Sequence, residues 1–179
     1  MRELEEFVAQ FNVKITLDDE LVVKRGNRYY LLSERLRQQV PDGFFYAGVY
    51  LGAVKGAGFF PSFLLLGMLA EDNANSLIVD SKTAWLFICG RDIFRQGILG
   101  DTRLKNGDYT LIMNEHNECL GFGKVMADIR QMIDLEKIAV KNILDIGDFL
   151  RREKRQTPKN SHENRDRNFH RFNHKQLSD

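Results

Sequence analysis

The stretch NGDYTLIMNEHNECLGFGKV (residues 106–125) decides how the second half of this chain folds. Residues 109–113 are apolar or β-forming, residues 114–117 (NEHN) form turns readily, and residues 119–125 return as a second run that contains two glycines. This order predicts a β-hairpin at the centre of a β-rich domain.

The segments around the hairpin predict further short strands. SLIVD and TAWLFIC precede it, and IAVKNIL (residues 138–144) follows it. Five short strands with one turn of helix among them predict a small closed or nearly closed barrel. After the barrel, DIGDFLRREKR (residues 145–155) predicts a short helix with a basic last turn.

An apolar pair lies on a glycine corner between the strands, in CGRDIFRQGILG (residues 89–100). We expect one helical turn that ends at Gly97, followed by Ile98 and Leu99. Either this pair fills a core beneath the corner, or a ligand approaches the Gly97 backbone closely. The local sequence leaves both interpretations open.

Residues 1–75 predict a separate α/β domain with an antiparallel sheet. The sequence indicates an amphipathic helix over residues 3–11, a strand over residues 13–17, and a hairpin that turns at residues 25–27. Ser33 is the candidate N-cap of a second helix, and Pro61-Ser62 opens a third helix, which runs through Glu71. The polar segment EDNANS (residues 71–76) is the predicted domain boundary.

The charge of the chain is unevenly distributed, although the whole chain carries only +1. Nine Lys or Arg and four Asp or Glu lie from Arg151 onward, so this end carries +5 and the preceding body −4. Such an asymmetry is typical either of a polyanion-binding protein or of a solvated tail. Phe169 and Phe172 between the basic residues fit single-stranded nucleic acid. The polar residues 156–179 predict a disordered basic tail.

We find no catalytic, cofactor-binding or metal-binding pattern in the sequence. The glycines of LGAVKGAGFF fit neither a phosphate loop nor a dinucleotide fingerprint. Cys89 and Cys119 lie in predicted strands without a histidine at ligand spacing, which predicts buried free thiols. No apolar run is long enough to span a bilayer, so we expect a cytoplasmic protein without membrane contact.

Taken together, GRDIFRQGIL, Lys105-Asn106-Gly107-Asp108 and Gly121-Phe122-Gly123 resemble a PUA domain, a small RNA-binding pseudo-barrel. Over about residues 1–155, RYYLLSERL, LGAVKGAGFFPSFLL and KNILDIGDFLRREK resemble the Nip-seven family of large-subunit ribosome biogenesis factors, in particular its archaeal branch. The resemblance implies an α+β chain: an N-terminal α/β domain with an antiparallel sheet (residues 1–75), a PUA-type β pseudo-barrel (residues 76–155) and the tail (residues 156–179).

The resemblance also implies a function without catalysis. It implies binding to pre-ribosomal RNA and to assembly proteins, and no cofactor, metal or small-molecule substrate. The RNA-facing positions carried over from PUA domains are Arg91, Arg95, Gly97, Ile98 and Lys141, and Leu99 is expected to face the core. From the charge pattern we add the basic helix end, which consists of Arg151, Arg152, Lys154 and Arg155. A protein-interaction adaptor and an RNA-modifying enzyme are the alternative functions.

Overall fold

The computed structural model describes residues 2–14, 17–41, 43, 46–56, 58–148 and 151. The chain divides into two compact units, Met1–Asp148 and Phe149–Asp179, and the first unit contains every element described below. The predicted disordered tail lies outside the described residues.

The N-terminal half contains one antiparallel sheet and three helices. The sheet has the order β1-β2-β3-β4. Ser33 caps the second helix as predicted, and the third helix begins where it was predicted, with Ser62 as its N-cap. The strands are β1 Val22–Arg25, β2 Arg28–Leu31, β3 Val49–Lys55 and β4 Gly58–Pro61, and the helices are α1 Arg2–Ala9, α2 Glu34–Gln39 and α3 Phe63–Glu71.

The C-terminal half is a six-stranded sheet of order β6-β10-β9-β8-β5-β7, which forms a nearly closed barrel. All neighbouring strands in it are antiparallel except β5 and β8, which are parallel. Its strands are β5 Ser76–Val79, β6 Ile93–Phe94, β7 Ile98–Asp101, β8 Tyr109–Met113, β9 Cys119–Val125 and β10 Ile138–Asp145. Helix α4 (Ser81–Ile88) and two 3₁₀ turns (Arg95–Gly97 and Ile129–Gln131) complete it.

These elements confirm the predicted α+β class with an antiparallel N-terminal sheet and a β pseudo-barrel. The central hairpin has the predicted strand limits. Its turn is held by the Asn114 side chain, whose Oδ1 accepts hydrogen bonds from the backbone N–H of His116 and of Glu118, at 3.0 and 2.9 Å. A local polar side chain therefore fixes this turn, which explains why the sequence was sufficient to predict it.

The segment TAWLFIC was predicted as a strand, and this prediction was wrong because the segment forms helix α4. The Asp80 carboxylate accepts a hydrogen bond of 2.7 Å from the Thr83 N–H and caps the helix. Ala84 and Phe87 are three residues apart and both are buried, so one face of the helix covers the barrel. Cys89 consequently lies at the helix C-cap and is exposed rather than buried.

Two further predictions were wrong in detail. Val13 and Leu17 belong to no strand, and Ile15 between them lies outside the described residues. The helical turn that was expected to end at Gly97 is short and begins only at Arg95, because Ile93 and Phe94 pair with β10.

An aromatic cluster joins the two halves of the first unit. The ring of Phe122 in β9 lies 5.7 Å from that of Phe7 and 5.6 Å from that of Phe11, both from the N-terminal half. These rings belong to one apolar core that also contains residues of α3 and β8. A second core fills the barrel interior. The domain boundary near residue 75 stays a prediction, and the aromatic core extends across it.

Candidate nucleic-acid interface

The predicted glycine corner lies between β6 and β7 and is held by the loop before β10. The backbone N–H groups of Arg95 and Gln96 donate to the carbonyls of Lys137 and Leu135, both at 3.1 Å. The Nε of Arg95 donates to the Ile129 carbonyl, also at 3.1 Å. Part of the Arg95 guanidinium therefore stabilises the corner itself.

Gly97 is a glycine because helix α4 packs directly against it. Its carbonyl accepts a hydrogen bond of 3.1 Å from the Asp80 N–H. A Cβ at this position would lie 1.9 Å from the Oγ1 and 2.8 Å from the Cβ of Thr83. Gly97 is buried, so the close approach that the sequence suggested is made by the chain's own helix.

We expect Gly97→Ala to lower the free energy of unfolding by about 1–3 kcal/mol, because the new methyl overpacks the contact with α4. Chemical denaturation measures this change. Thr83→Ala in the same chain removes the Oγ1 and the Cγ2 and should restore part of the loss. If the two substitutions add without coupling, the contact between Gly97 and α4 is not the reason for the glycine.

The apolar pair after the corner has the opposite orientation to the prediction. Ile98 packs against the barrel core, whereas the Leu99 side chain is 58% exposed. The expectation that Leu99 faces the core was wrong, because alternation along β7 places the two side chains on opposite faces. Because the Ile98 side chain packs against the core, it does not point toward a bound RNA. This position therefore offers mainly its backbone for RNA contact.

The structure exposes apolar side chains beside the corner that the sequence did not identify. Trp85 of α4 is 66% exposed, and Leu86 and Phe94 are about 40% exposed. Leu86 and Phe94 line a groove of about 230 Å³ at the corner, together with Asp80, Lys82, Thr83, Asp92, Gln96 and Gly97. The helical spacing of Ala84 and Phe87 was the signal that could have revealed Trp85 as a surface residue.

Lys141 is exposed on β10 and does not belong to the residues that line the groove at the corner. Its neighbour Val140 faces the barrel core, so Lys141 points outward from the barrel. In the strand register Lys141 lies opposite Lys124 of β9, another exposed lysine. The structure therefore brings together Arg95, Gly97 and Ile98, and it places Lys141 with a residue that sequence reasoning missed.

The predicted basic helix end is only partly described. Arg151 is half-buried and belongs to the second unit, Phe149–Asp179. Arg152, Lys154 and Arg155 lie outside the described residues, so their role stays a prediction.

Two features of the described residues bear on other functions. Between residues 2 and 148, with the gaps named above, and at Arg151, no three His, Cys, Asp or Glu side chains are grouped to hold a metal ion. Among the helices of this same part, none is long and apolar enough to cross a membrane.

Comparison with known proteins identifies the barrel. Residues 75–154 match the UPF0113 PUA domain family. A UPF0113 protein from Archaeoglobus fulgidus is 29% identical over 111 residues, which is 61% of this chain and 63% of that relative's length. The barrel of the C-terminal half thus has a PUA-like fold.

Solved structures show the same fold over most of the chain. A conserved PUA domain protein from Thermoplasma acidophilum superposes with a TM-score of 0.55 at 19% identity, covering 85% of this chain and 92% of that one. A hypothetical protein from Pyrococcus horikoshii gives a TM-score of 0.51 at 16% identity, covering 80% and 90%. These likenesses span both halves, so both proteins share the fold of the N-terminal sheet together with that of the barrel.

Proposed function

We propose that this chain, in which residues 75–154 match a PUA domain, is a non-catalytic RNA-binding factor that acts in the cytoplasm in pre-rRNA processing and large-ribosomal-subunit assembly. The match to the PUA domain is the observation that carries the proposal. The resemblance of residues 1–155 to the Nip-seven family supplies the finer assignment to ribosome assembly. Assembly proteins are the second class of partner.

The chemistry of the surface supports attachment to RNA by charge and shape. The corner offers Lys82, Arg95 and the exposed Trp85, and the outer face of the barrel offers Lys141. Cations neutralise phosphates, and an exposed aromatic ring stacks on unpaired bases. Single-stranded segments of rRNA fit such a surface better than a duplex, whose bases are already stacked.

The carboxylates at the corner support a role without catalysis, because both have structural partners. Asp80 caps α4. Asp92 accepts a hydrogen bond of 2.9 Å from the Asn142 N–H and connects the corner to β10. A general acid or base needs a carboxylate that faces the substrate.

The test is a titration of the full chain with labelled single-stranded RNA at several salt concentrations. If four cations contact phosphates, log K should fall with log salt at a slope of about −3, since each contact contributes roughly 0.7. Arg151→Ala/Arg152→Ala should weaken binding and flatten the slope by about 1.4. Arg35→Ala/Arg37→Ala removes the same charge from exposed positions of α2 and serves as the control. Binding that is independent of salt, or that is equal in both variants, contradicts the proposed mode of attachment.

An adaptor that binds assembly proteins is the second candidate. The observation that favours it is the pair Phe94 and Ile138, which lie opposite each other in the strand register and are 40% and 38% exposed. They lie at the β6 edge of the sheet, where another protein can dock. If the full chain binds no RNA in the titration, this candidate takes first place.

A further inference from the structure

Three residues form a row across the outer face of the barrel sheet. Tyr109 of β8 lies opposite Lys124 of β9, and Lys124 lies opposite Lys141 of β10. Residues that are paired in register on neighbouring strands share one face of a sheet. The row therefore places two ammonium groups side by side, next to one aromatic ring.

The row lies on the outer face of the sheet, next to the part of that face that the N-terminal half covers. Val125 and Val140, the sequence neighbours of the two lysines, are fully buried in the barrel interior, so the lysines point outward. Phe122, two residues before Lys124 and on the same face, is covered by Phe7 and Phe11. The lysines thus lie beyond this contact and reach solvent.

The lysine pair costs stability in the free protein. Like charges directly opposite each other on neighbouring strands repel. Within the part of the chain that the structure describes, no carboxylate lies within 4.0 Å of either ammonium group. The Nζ of Lys124 lies 5.8 Å from the centroid of the Tyr109 ring, which offsets only part of the repulsion. An anion between the lysines would remove the repulsion.

A groove of about 460 Å³ lies beside the row, between the N-terminal half and the barrel. This volume is in the range of small-ligand pockets. Tyr109 belongs both to the row and to the wall of the groove. The other wall residues are Glu3, Glu6, Phe7, Gln10, Val54, Gly56, Gly58, Phe59, Phe122 and Ile143.

A β-bulge in β10 directs an apolar side chain into this groove. Asn142 pairs with Gly123 and Leu144 with Phe122, so Ile143 is the extra residue and is 45% exposed. Asn142 fixes the bulge: its N–H donates to Asp92, and its Nδ2 donates to the Phe87 carbonyl at 3.0 Å. Bulges that re-aim a side chain are common next to functional sites.

The two acids of the groove are each neutralised within the N-terminal half. Glu3 accepts hydrogen bonds from Lys24 at 2.7 Å and from the Tyr29 hydroxyl at 2.6 Å, which lower the pKa of its carboxyl to about 2. Glu6 pairs with Arg2 at 2.8 Å. Lys124 and Lys141 do not line the groove, but the row places their positive charge next to it through Tyr109.

We propose that Lys124, Lys141 and the adjoining groove form a second RNA-contact site, which holds one unstacked base of a single strand and the phosphates on either side of it. This inference rests on the proposed RNA-binding function and names a site separate from the glycine corner and the basic helix end. The base lies in the aromatic groove and the phosphates on the two lysines. A groove that offers the Tyr109 ring and the Ile143 side chain beside paired cations matches the alternation of base and phosphate along a single strand.

The test compares the binding of a ten-nucleotide single-stranded RNA to the full chain and to Lys124→Gln/Lys141→Gln. Loss of two phosphate contacts should weaken binding about 25-fold at 0.1 M salt and reduce the salt slope by about 1.4. Lys14→Gln/Arg35→Gln removes the same charge from exposed positions outside both the row and the glycine corner, and its affinity should stay within about twofold of the wild type because of screening.

A second variant separates RNA contact from stability. Lys141→Glu replaces the repulsion with a cross-strand ion pair, so it should raise the melting temperature while it weakens RNA binding more than Lys141→Gln does. A structural role of the lysines would change both properties in the same direction.

The outcomes distinguish this inference from the function on which it rests. If no variant and no wild-type chain binds RNA, the proposed function itself fails. If the wild type binds RNA and Lys124→Gln/Lys141→Gln binds it with equal affinity and slope, only the second site is refuted. If a polyglutamate peptide competes for the same lysines as effectively as RNA, an acidic protein partner replaces RNA at this groove and the inference is overturned.

Discussion

Phe122→Ala should lower the free energy of unfolding by about 3–5 kcal/mol, the usual cost of removing a large buried aromatic side chain. The Phe122 side chain is only 4% exposed and contacts Phe7, Phe11 and Tyr109. Because two of these rings belong to the N-terminal half, the cavity would open between the halves. We expect both halves to lose amide hydrogen-exchange protection together.

Phe94→Ala is the matched control for this substitution. Phe94 lies on β6, an edge strand of the same sheet. It is 40% exposed, so its truncation should lower the free energy of unfolding by less than about 1 kcal/mol. If Phe122→Ala removes protection from the barrel alone, the N-terminal half is stable by itself and the boundary near residue 75 separates two independently folding domains.

Gly121→Ala should destabilise the protein by about 3 kcal/mol or more. A Cβ at Gly121 would lie 2.0 Å from the Leu144 carbonyl oxygen and 2.8 Å from the Asp145 Cα, both of which are backbone atoms of β10. The φ of Gly121 is +146°, which other residues rarely adopt. Relief of the clash requires β10 to move away from β9, so the strain of the backbone adds to the cost of overpacking.

Gly100→Ala provides the comparison in the same barrel. A Cβ at Gly100 meets no atom within 4 Å and its φ lies outside the left-handed region, so we expect a change within about 0.5 kcal/mol. Urea denaturation of the two variants measures the difference. Equal stability of Gly121→Ala and Gly100→Ala would show that β9 and β10 do not require their close contact.

The RNA-contact predictions differ in how far the sequence supports them. The basic end from Arg151 is visible as a run of charge, and the glycine corner is visible through its resemblance to PUA domains. The pairing of Lys124 with Lys141 is invisible in the sequence, because 16 residues separate the two lysines and only the strand register brings them together. The orientation of Ile98 and Leu99 is equally invisible in the sequence, because it depends on which face of β7 packs on the core.

The sequence by itself determined the elements whose ends are fixed by neighbouring residues. The turn of the β8-β9 hairpin is held by Asn114, and the helices after Ser33 and Ser62 begin where those hydroxyls accept backbone hydrogen bonds. Capping and turn formation act over a few residues, so they can be read without knowledge of the fold.

Only the tertiary structure decided whether an apolar run forms a helix or a strand, and which charged side chains lie close together. TAWLFIC has residues suited to a strand, but the space over the barrel selects a helix that buries Ala84 and Phe87 and exposes Trp85. Packing energies between distant segments exceed local propensities. For the same reason, the contact of Gly97 with Thr83 and the meeting of Lys124 with Lys141 follow from the assembly of the barrel, which no short stretch of the chain encodes.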